Sequence, residues 1–440
     1  MWPYYPDLLA RNVPRYTSFP TAVEFHAGVA GAEFLEAISQ VEASTPISLY
    51  VHIPYCQQIC WYCGCNTGAA GKSQRLSSYL AALESEIALI AEKLGKRGRV
   101  TNIAFGGGSP NAIAPVEFVR LVDRIVTMFS CDQPNISIEL DPRIFSAEWA
   151  KTLAHCGVSR VSLGVQSFSE EIQKAIGRVQ PAKMIEECMQ LLRDEGITAV
   201  NFDLMYGLPG QNSNDLEETL ETAIKLAPSR IALFGYAHMP QIFPRQRRID
   251  SSNLPGSEER FAMAQLGYRL LTDAGYCAVG FDHFARPDDS LAIAAAQGRL
   301  HRNFQGFTDD ECGSMIGLGA SAISNFPNYI IQNEKSPGQY RMQALAQTVT
   351  AARGIERSPD DKMRGLFIEN LLCSGNSGPL PADLLEGVEA GLRTFAERKL
   401  VRMDGSSVII EAAGLPYARA IASLMDKYRQ TDSKQFSLAV

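Results

Sequence analysis

Hydrophobic positions along this chain alternate between two registers. Short apolar runs at Ser48–Ile53, Asn102–Phe105, Ile136–Leu140, Arg160–Gly164, Ala199–Leu204 and Ile231–Gly235 have the length of buried strands. The segments between them carry helical spacing. Leu76, Leu80, Leu83, Ile87, Ile90 and Leu94 share one helix face, and Leu216, Leu220, Ala223 and Ile224 share another, opened by Asn214 with Glu217 three residues on and closed before Pro228. Six βα units predict a parallel sheet, because parallel neighbours need crossover helices. A seventh run, Tyr276–Phe281, is expected to extend it.

Polar residues select the architecture. Gly106-Gly107-Gly108-Ser109, Glu139, Gln166, Asp203 and His238 all fall at or just past the end of a predicted strand, the catalytic rim of a (β/α) barrel. The expected fold is a partial (β/α)6 barrel over residues 46–325. It is preceded by an arm over 1–45, where the proline-punctuated Pro14–Thr21 packs as extended chain on the main unit. Beyond 325 the rhythm stops. Helices near 359–373 and 382–398, a hairpin turning at Asp404-Gly405 and a last helix from Pro416 to Tyr428 predict a smaller α+β, winged-helix-like unit over 326–440.

Composition narrows the function. The 440 residues are 46% hydrophobic and 20% charged, which suits a large buried core, and the net charge of −7 argues against nucleic acid as the main partner. The C-terminal unit has no concentrated basic stripe, so a lid or packing role is expected there. The N-terminus lacks the basic and apolar regions of a secretory signal and no apolar run approaches a membrane span, so a cytoplasmic location is expected. Of the ten cysteines, Cys131, Cys156, Cys188, Cys277, Cys312 and Cys373 are scattered among apolar neighbours and are expected to be small core residues.

The other four, Cys56, Cys60, Cys63 and Cys65, lie within ten residues directly after the first strand. Zinc commonly draws its four soft ligands as two separated pairs, and no second pair is nearby. A redox pair of Cys60 and Cys63 is open. An iron–sulfur cluster suits the spacing best, because three thiolates from one loop can reach three corners of a cube and leave the fourth iron free for a reactant.

Cys56-x3-Cys60-x2-Cys63 resembles the signature of radical S-adenosylmethionine (SAM) enzymes, and Tyr50–Cys65 as a whole resembles the oxygen-independent coproporphyrinogen III oxidase family. Similar stretches recur at Pro14–Ser18, Gly106–Pro110, Glu139–Pro142, Gly164–Gln166, Asp203–Pro209, Tyr236–His238, Asp282–Asp289 and His301–Gly306. Ser109 departs from the family's usual threonine but keeps the hydroxyl. The resemblance is strong over 12–325 and thins beyond Cys373.

The resemblance implies that Cys56, Cys60 and Cys63 ligate a [4Fe–4S] cluster, and that one electron from it cleaves SAM to a deoxyadenosyl radical. That radical would remove hydrogen from two propionates of coproporphyrinogen III in turn, each then losing carbon dioxide and an electron to become vinyl. Tyr50, Gly107, Gly108, Ser109, Glu139, Gln166, Arg178 and Asp203 would surround the first SAM, with Arg178 on its carboxylate, while Ala237 and Ile323 resemble contacts to a second SAM. Cys65, Glu139 and Tyr50 are the expected catalytic residues, Cys65 as an essential cysteine that is not a cluster ligand. Arg15, Arg286 and Arg302 are candidates for the propionates, as are Arg245, Arg247 and Arg248, which read equally well as a solvated face; His283 and His301 read either as ligand contacts or as structural hydrogen-bonding groups. An electron donor and an acceptor are implied without being identified, and the family precedent is a monomer. The competing readings are a haem-binding chaperone of the same family, a radical SAM methyltransferase or other tetrapyrrole-modifying enzyme, and a zinc-dependent regulator. The chaperone is disfavoured by Cys65.

Overall fold

The computed structural model describes residues 2–10, 12–71 and 73–429, so the end of the C-terminal unit lies outside the described residues. Six strands appear where the apolar runs predict them: β1 (Pro46–Ile53), β2 (Arg99–Gly107), β3 (Asn135–Leu140), β4 (Val158–Gln166), β5 (Ala199–Tyr206) and β6 (Arg230–Gly235). They pair in sequence order and in parallel. Helices follow each strand, including Ser73–Leu94 after β1 and Ser213–Leu226 after β5. The latter is capped one turn-half earlier than its sequence suggests: Asn212 accepts from the N–H groups of Asn214 and Asp215, and Asp215 reaches back to Asn212.

The period-two alternation of these strands builds the site. Ile138, Leu140, Val161, Leu163, Val200, Phe202 and Leu204 turn outward into the core beneath the helices. Glu139, Ser162, Asn201 and Asp203 therefore face the opposite side, where they line the interior of the curved sheet.

Among the described residues the sheet is open and twelve-stranded, a partial barrel with antiparallel additions at both ends. The run at Tyr276–Phe281 is not a seventh parallel strand. Only Gly280–Asp282 separates Cys277–Val279 from His283–Ala285, far too little chain for a crossover, so the two pair antiparallel beside β6. A seventh parallel neighbour does exist on the other side, where Ser314–Leu318 runs alongside β1. The sheet continues past residue 325 through Tyr329–Asn333 to Ala351–Glu356.

A second core unites the C-terminal helices Pro359–Ser374 and Ala382–Glu397 with Leu8, Leu9, Val13, Tyr16 and Phe19 of the N-terminal arm. The arm thus packs largely on the C-terminal unit, with the Tyr16 hydroxyl donating to Asp426 at 3.0 Å. The hairpin Val401–Asp404 and Ser407–Ile410 turns at Gly405 with φ +60°. The single helix expected over 416–428 is instead broken, into a 3-10 turn at Ala412–Tyr417, a short helix at Ala418–Ala422 and a second 3-10 turn at Ser423–Met425. Pro416 supplies no N–H to a longer ladder. Of the scattered cysteines only Cys188 is fully buried, and Cys277 is exposed at the sheet edge. No helix among the described residues is long and apolar enough to cross a membrane.

Candidate active site

β1 delivers the chain at Ile53 to the mouth of the sheet. Tyr55–Cys56 then pairs with Gly68–Ala69, which closes the cysteine loop on itself. Backbone bonds stitch this loop to the glycine turn after β2: the Gly108 N–H donates to Ile53 O at 2.9 Å and the Ser109 N–H to Tyr55 O at 2.8 Å. Only glycine permits this approach, since a Cβ on Gly108 would sit 2.6 Å from Tyr55 O. The result is a cavity of about 540 Å³ whose wall contains Cys56, Cys60, Cys63 and Cys65 together with Gly107, Gly108, Ser109, Glu139, Gln166, Arg178, Asp203 and Ala237.

The sulfurs are already supplied with donors. Cys60 Sγ receives Arg178 Nη1 at 3.2 Å and Arg143 Nη2 at 3.4 Å, and both guanidiniums also reach Asp141. Cys63 Sγ accepts from the Cys65 N–H at 3.4 Å. Hydrogen bonding from the Cys65 side chain, against the opposing effect of burial, pulls the Cys63 thiol down to about 6. Cys56 lies 3.2 Å from the Thr67 hydroxyl. No three His, Cys, Asp or Glu side chains among the described residues converge as ligands of a single ion. Three thiols on the wall of one cavity suit a cube, which takes each thiolate on a separate corner.

Behind the sulfurs lies a polar wall. Glu139 accepts from the Gly107 N–H at 3.2 Å, and burial, reinforced by neighbouring Asp203, pushes its carboxyl up to about 7. Asp203 accepts from Ser162 at 2.9 Å and Asn201 at 2.8 Å, and burial raises its pKa. Gln166 has φ +63° and a buried Oε1 with no hydrogen-bond partner. An orphaned acceptor on a cavity wall is costly unless a ligand completes it. Soft thiols with donors on them, facing an unsatisfied amide and two carboxylates, fit an iron–sulfur cluster and the amino and hydroxyl groups of SAM.

Two expected residues stand outside this cavity wall. Tyr50 is buried deeper in the sheet, its hydroxyl 3.0 Å from His52 Nδ1 and its ring edge-on to Phe304 at 4.4 Å. Ile323 is half-buried beside Phe25 and Ile330. Arg286 is half-exposed beside Asp288, and Arg247 and Arg248 are exposed, whereas Arg245 donates to Thr67 O at 3.1 Å and fastens the end of the cysteine loop. His283 pairs with Asp282 at 2.6 Å and His301 with Glu369 at 3.1 Å. The sequence reading passed over Arg143 and Asp141, whose approach to Cys60 depends on the fold after β3. It also passed over Phe304, which the hairpin at His301–Thr308 carries into the sheet interior. Phe304 lies in the His301–Gly306 stretch that resembles the family, and that resemblance was the available signal.

An open α/β sheet with a three-thiol loop at its mouth defines a radical SAM enzyme, and residues 50–223 match the Radical SAM superfamily. Over 438 residues the chain is 37% identical to the oxygen-independent coproporphyrinogen III oxidase of Bradyrhizobium diazoefficiens, covering 98% of this chain and 97% of that protein. It is 36% identical to the Escherichia coli protein of that description, over 97% and 96% of the two chains. The solved structure of coproporphyrinogen III oxidase from Escherichia coli, described as a radical SAM enzyme, superposes with a TM-score of 0.91 at 35% identity, covering 97% of this chain and 99% of that one. The chain belongs to the oxygen-independent coproporphyrinogen III oxidase family. With that membership come a [4Fe–4S] cluster and SAM.

Proposed function

We propose that this protein converts coproporphyrinogen III to protoporphyrinogen IX without oxygen, in haem biosynthesis. Each of two propionates loses carbon dioxide, a proton and two electrons to become a vinyl group. The observation that carries the reading is the single cavity in which Cys56, Cys60 and Cys63 face Glu139 and the unsatisfied Gln166. When bound, the cluster and SAM supply a carbon radical that can remove a hydrogen atom from an unactivated carbon.

The chain's own residues hold and shield that chemistry. Cys56, Cys60 and Cys63 hold the cluster, with Arg143 and Arg178 on Cys60. The backbone at Gly107 and Gly108 and the hydroxyl of Ser109 border the SAM amino-acid end, and Arg178 is the partner that the family resemblance gives its carboxylate. Glu139, Gln166 and Asp203 accept from its hydroxyl and amino groups, and Ala237 and Ile323 border a second SAM. Tyr50 and Cys65 are the catalytic residues beside Glu139, Cys65 acting apart from the three ligands. The arm and the C-terminal unit exclude water as a lid. The reading carries with it a cytoplasmic monomer and an external electron donor and acceptor.

The test is anaerobic. Protein reconstituted with iron and sulfide, reduced, and given SAM and coproporphyrinogen III should yield 5′-deoxyadenosine together with mono- and divinyl products. Deoxyadenosine with no vinyl product would remove the oxidase reading and leave the superfamily chemistry.

A further inference from the structure

The cysteine loop has an outer brace. The 3-10 turn Pro244–Arg248, with Phe243 before it, is fastened to the loop at three points. Gln246 Nε2 donates to Tyr62 O at 2.8 Å and Arg245 Nη2 to Thr67 O at 3.1 Å. The Phe243 ring lies against Gly64, where a Cβ would stand 3.2 Å from it. Tyr62 and Gly64 flank Cys63 in the chain, so the brace is seated one residue to either side of a cluster ligand.

The end of the brace is basic. Arg247 and Arg248 are exposed, and among the described residues neither is paired with a carboxylate. The exposed Arg120, Arg299, Arg393 and Arg402 all are, with Glu84, Glu311, Glu389 and Glu411. Asp250, the next acid along the chain, is occupied by the Ser252 N–H at 3.0 Å and the Ser252 hydroxyl at 2.7 Å. Ile242, just before Phe243, is 45% exposed and adds an apolar element. The chain as a whole carries a net charge of −7. An acidic protein is therefore repelled by the molecule as a whole and drawn to this one place beside the cysteine loop, which is how charge selects one orientation among many.

We propose that Arg247 and Arg248 form the docking surface for an acidic protein carrying a low-potential one-electron centre, the donor that reduces the cluster. This rests on the function proposed above, which calls for an external donor, and names the face that the donor meets. One electron leaves the donor's centre and enters the cluster. The donor is oxidised, the cluster is reduced, and no bond or proton is exchanged. Two arginines and one apolar side chain make a small contact, as weak redox encounters are, and a weak complex lets the oxidised donor leave.

The test uses the anaerobically reconstituted full chain and a reduced plant-type ferredoxin, an acidic iron–sulfur protein of low potential. Binding is read by calorimetry, and cluster reduction by rapid-freeze electron paramagnetic resonance. At low ionic strength the double variant Arg247→Glu/Arg248→Glu is expected to weaken ferredoxin binding and slow cluster reduction, each about tenfold or more. Salt at about 0.5 M should bring the wild type down towards the variant. Dithionite, a small reductant that needs no docking face, should reduce both proteins at rates within about threefold, and coproporphyrin III affinity should stay within about twofold. Arg393→Glu/Arg402→Glu makes the same change of net charge on the C-terminal unit and should leave the ferredoxin rate within about twofold. Ferredoxin binding and rates equal in the wild type and the Arg247/Arg248 variant, an equal loss in the Arg393/Arg402 variant, or a loss of coproporphyrin III affinity in their place would overturn the assignment. Equal ferredoxin rates while dithionite-reduced wild type makes vinyl product sink the surface alone. A charge-sensitive ferredoxin rate with no vinyl product removes the oxidase reading and leaves the surface standing.

Discussion

Arg178 donates to Cys60 Sγ at 3.2 Å. The sequence resemblance places this arginine on the SAM carboxylate, yet here it also bonds the Gly164 carbonyl and Asp141, and Arg143 joins it on the same sulfur. Hydrogen bonds to a cluster thiolate favour the more negative, reduced state and raise the potential. Arg143→Ala is therefore expected to shift the cluster potential to more negative values and to lower turnover about tenfold. Redox titration followed by electron paramagnetic resonance checks it, and an unmoved potential would show that the Arg143 contact does not tune the cluster.

The Glu139 carboxyl, lifted from its ordinary 4.5 to about 7 by burial, makes stability depend on pH. Between those values the folded protein holds a proton that the unfolded chain has released. The contribution is therefore fully present below 4.5 and is lost as pH rises through about 7, amounting to on the order of 3 kcal/mol. Glu139→Gln should flatten the denaturant midpoint of the cluster-free protein between these pH values. An equally steep wild-type and variant profile would place the titration elsewhere.

Gln166 offers a stability–function trade. Its buried Oε1 has no partner. Gln166→Leu should stabilise the cluster-free protein by about 1 kcal/mol, because an unsatisfied acceptor leaves the interior, while SAM affinity falls. Chemical denaturation and equilibrium dialysis read the two effects separately. A variant that loses stability, or binds SAM as before, contradicts the role given to this amide.

Gly107 has φ +112°, and a Cβ there would stand 2.5 Å from His52 Cε1. Gly107→Ala combines backbone strain with a clash and should cost about 2 kcal/mol or more. It should also abolish SAM binding, since the Gly107 N–H is the group that orients Glu139. Wild-type stability in this variant would mean that the turn is not rigid.

Features encoded locally were legible in the sequence. The six strands, the Cys56–Cys65 loop and the glycine turn each declare themselves within about ten residues, because strand burial and cysteine spacing are short-range patterns. What the sequence concealed is set by contacts between remote segments. Arg143 resembles any loop arginine until the turn after β3 brings it to Cys60. Arg247 and Arg248 read as any solvated face until the contacts of Arg245 and Gln246 seat them against the cysteine loop. Tyr276–Phe281 carries a strand pattern whose direction depends on the length of the following turn. Tyr50 and Ile323 are marked by motif alone, and neither belongs to the wall of the cysteine cavity itself.

The central claim is that the cysteine cavity generates a radical that takes hydrogen from a substrate propionate. Coproporphyrinogen III deuterated at the propionate carbons attached to the ring tests it, with the isotope content of 5′-deoxyadenosine read by mass spectrometry. Deuterium appearing in deoxyadenosine in step with vinyl product is the predicted result. Unlabelled deoxyadenosine alongside substrate that keeps its deuterium would contradict the account.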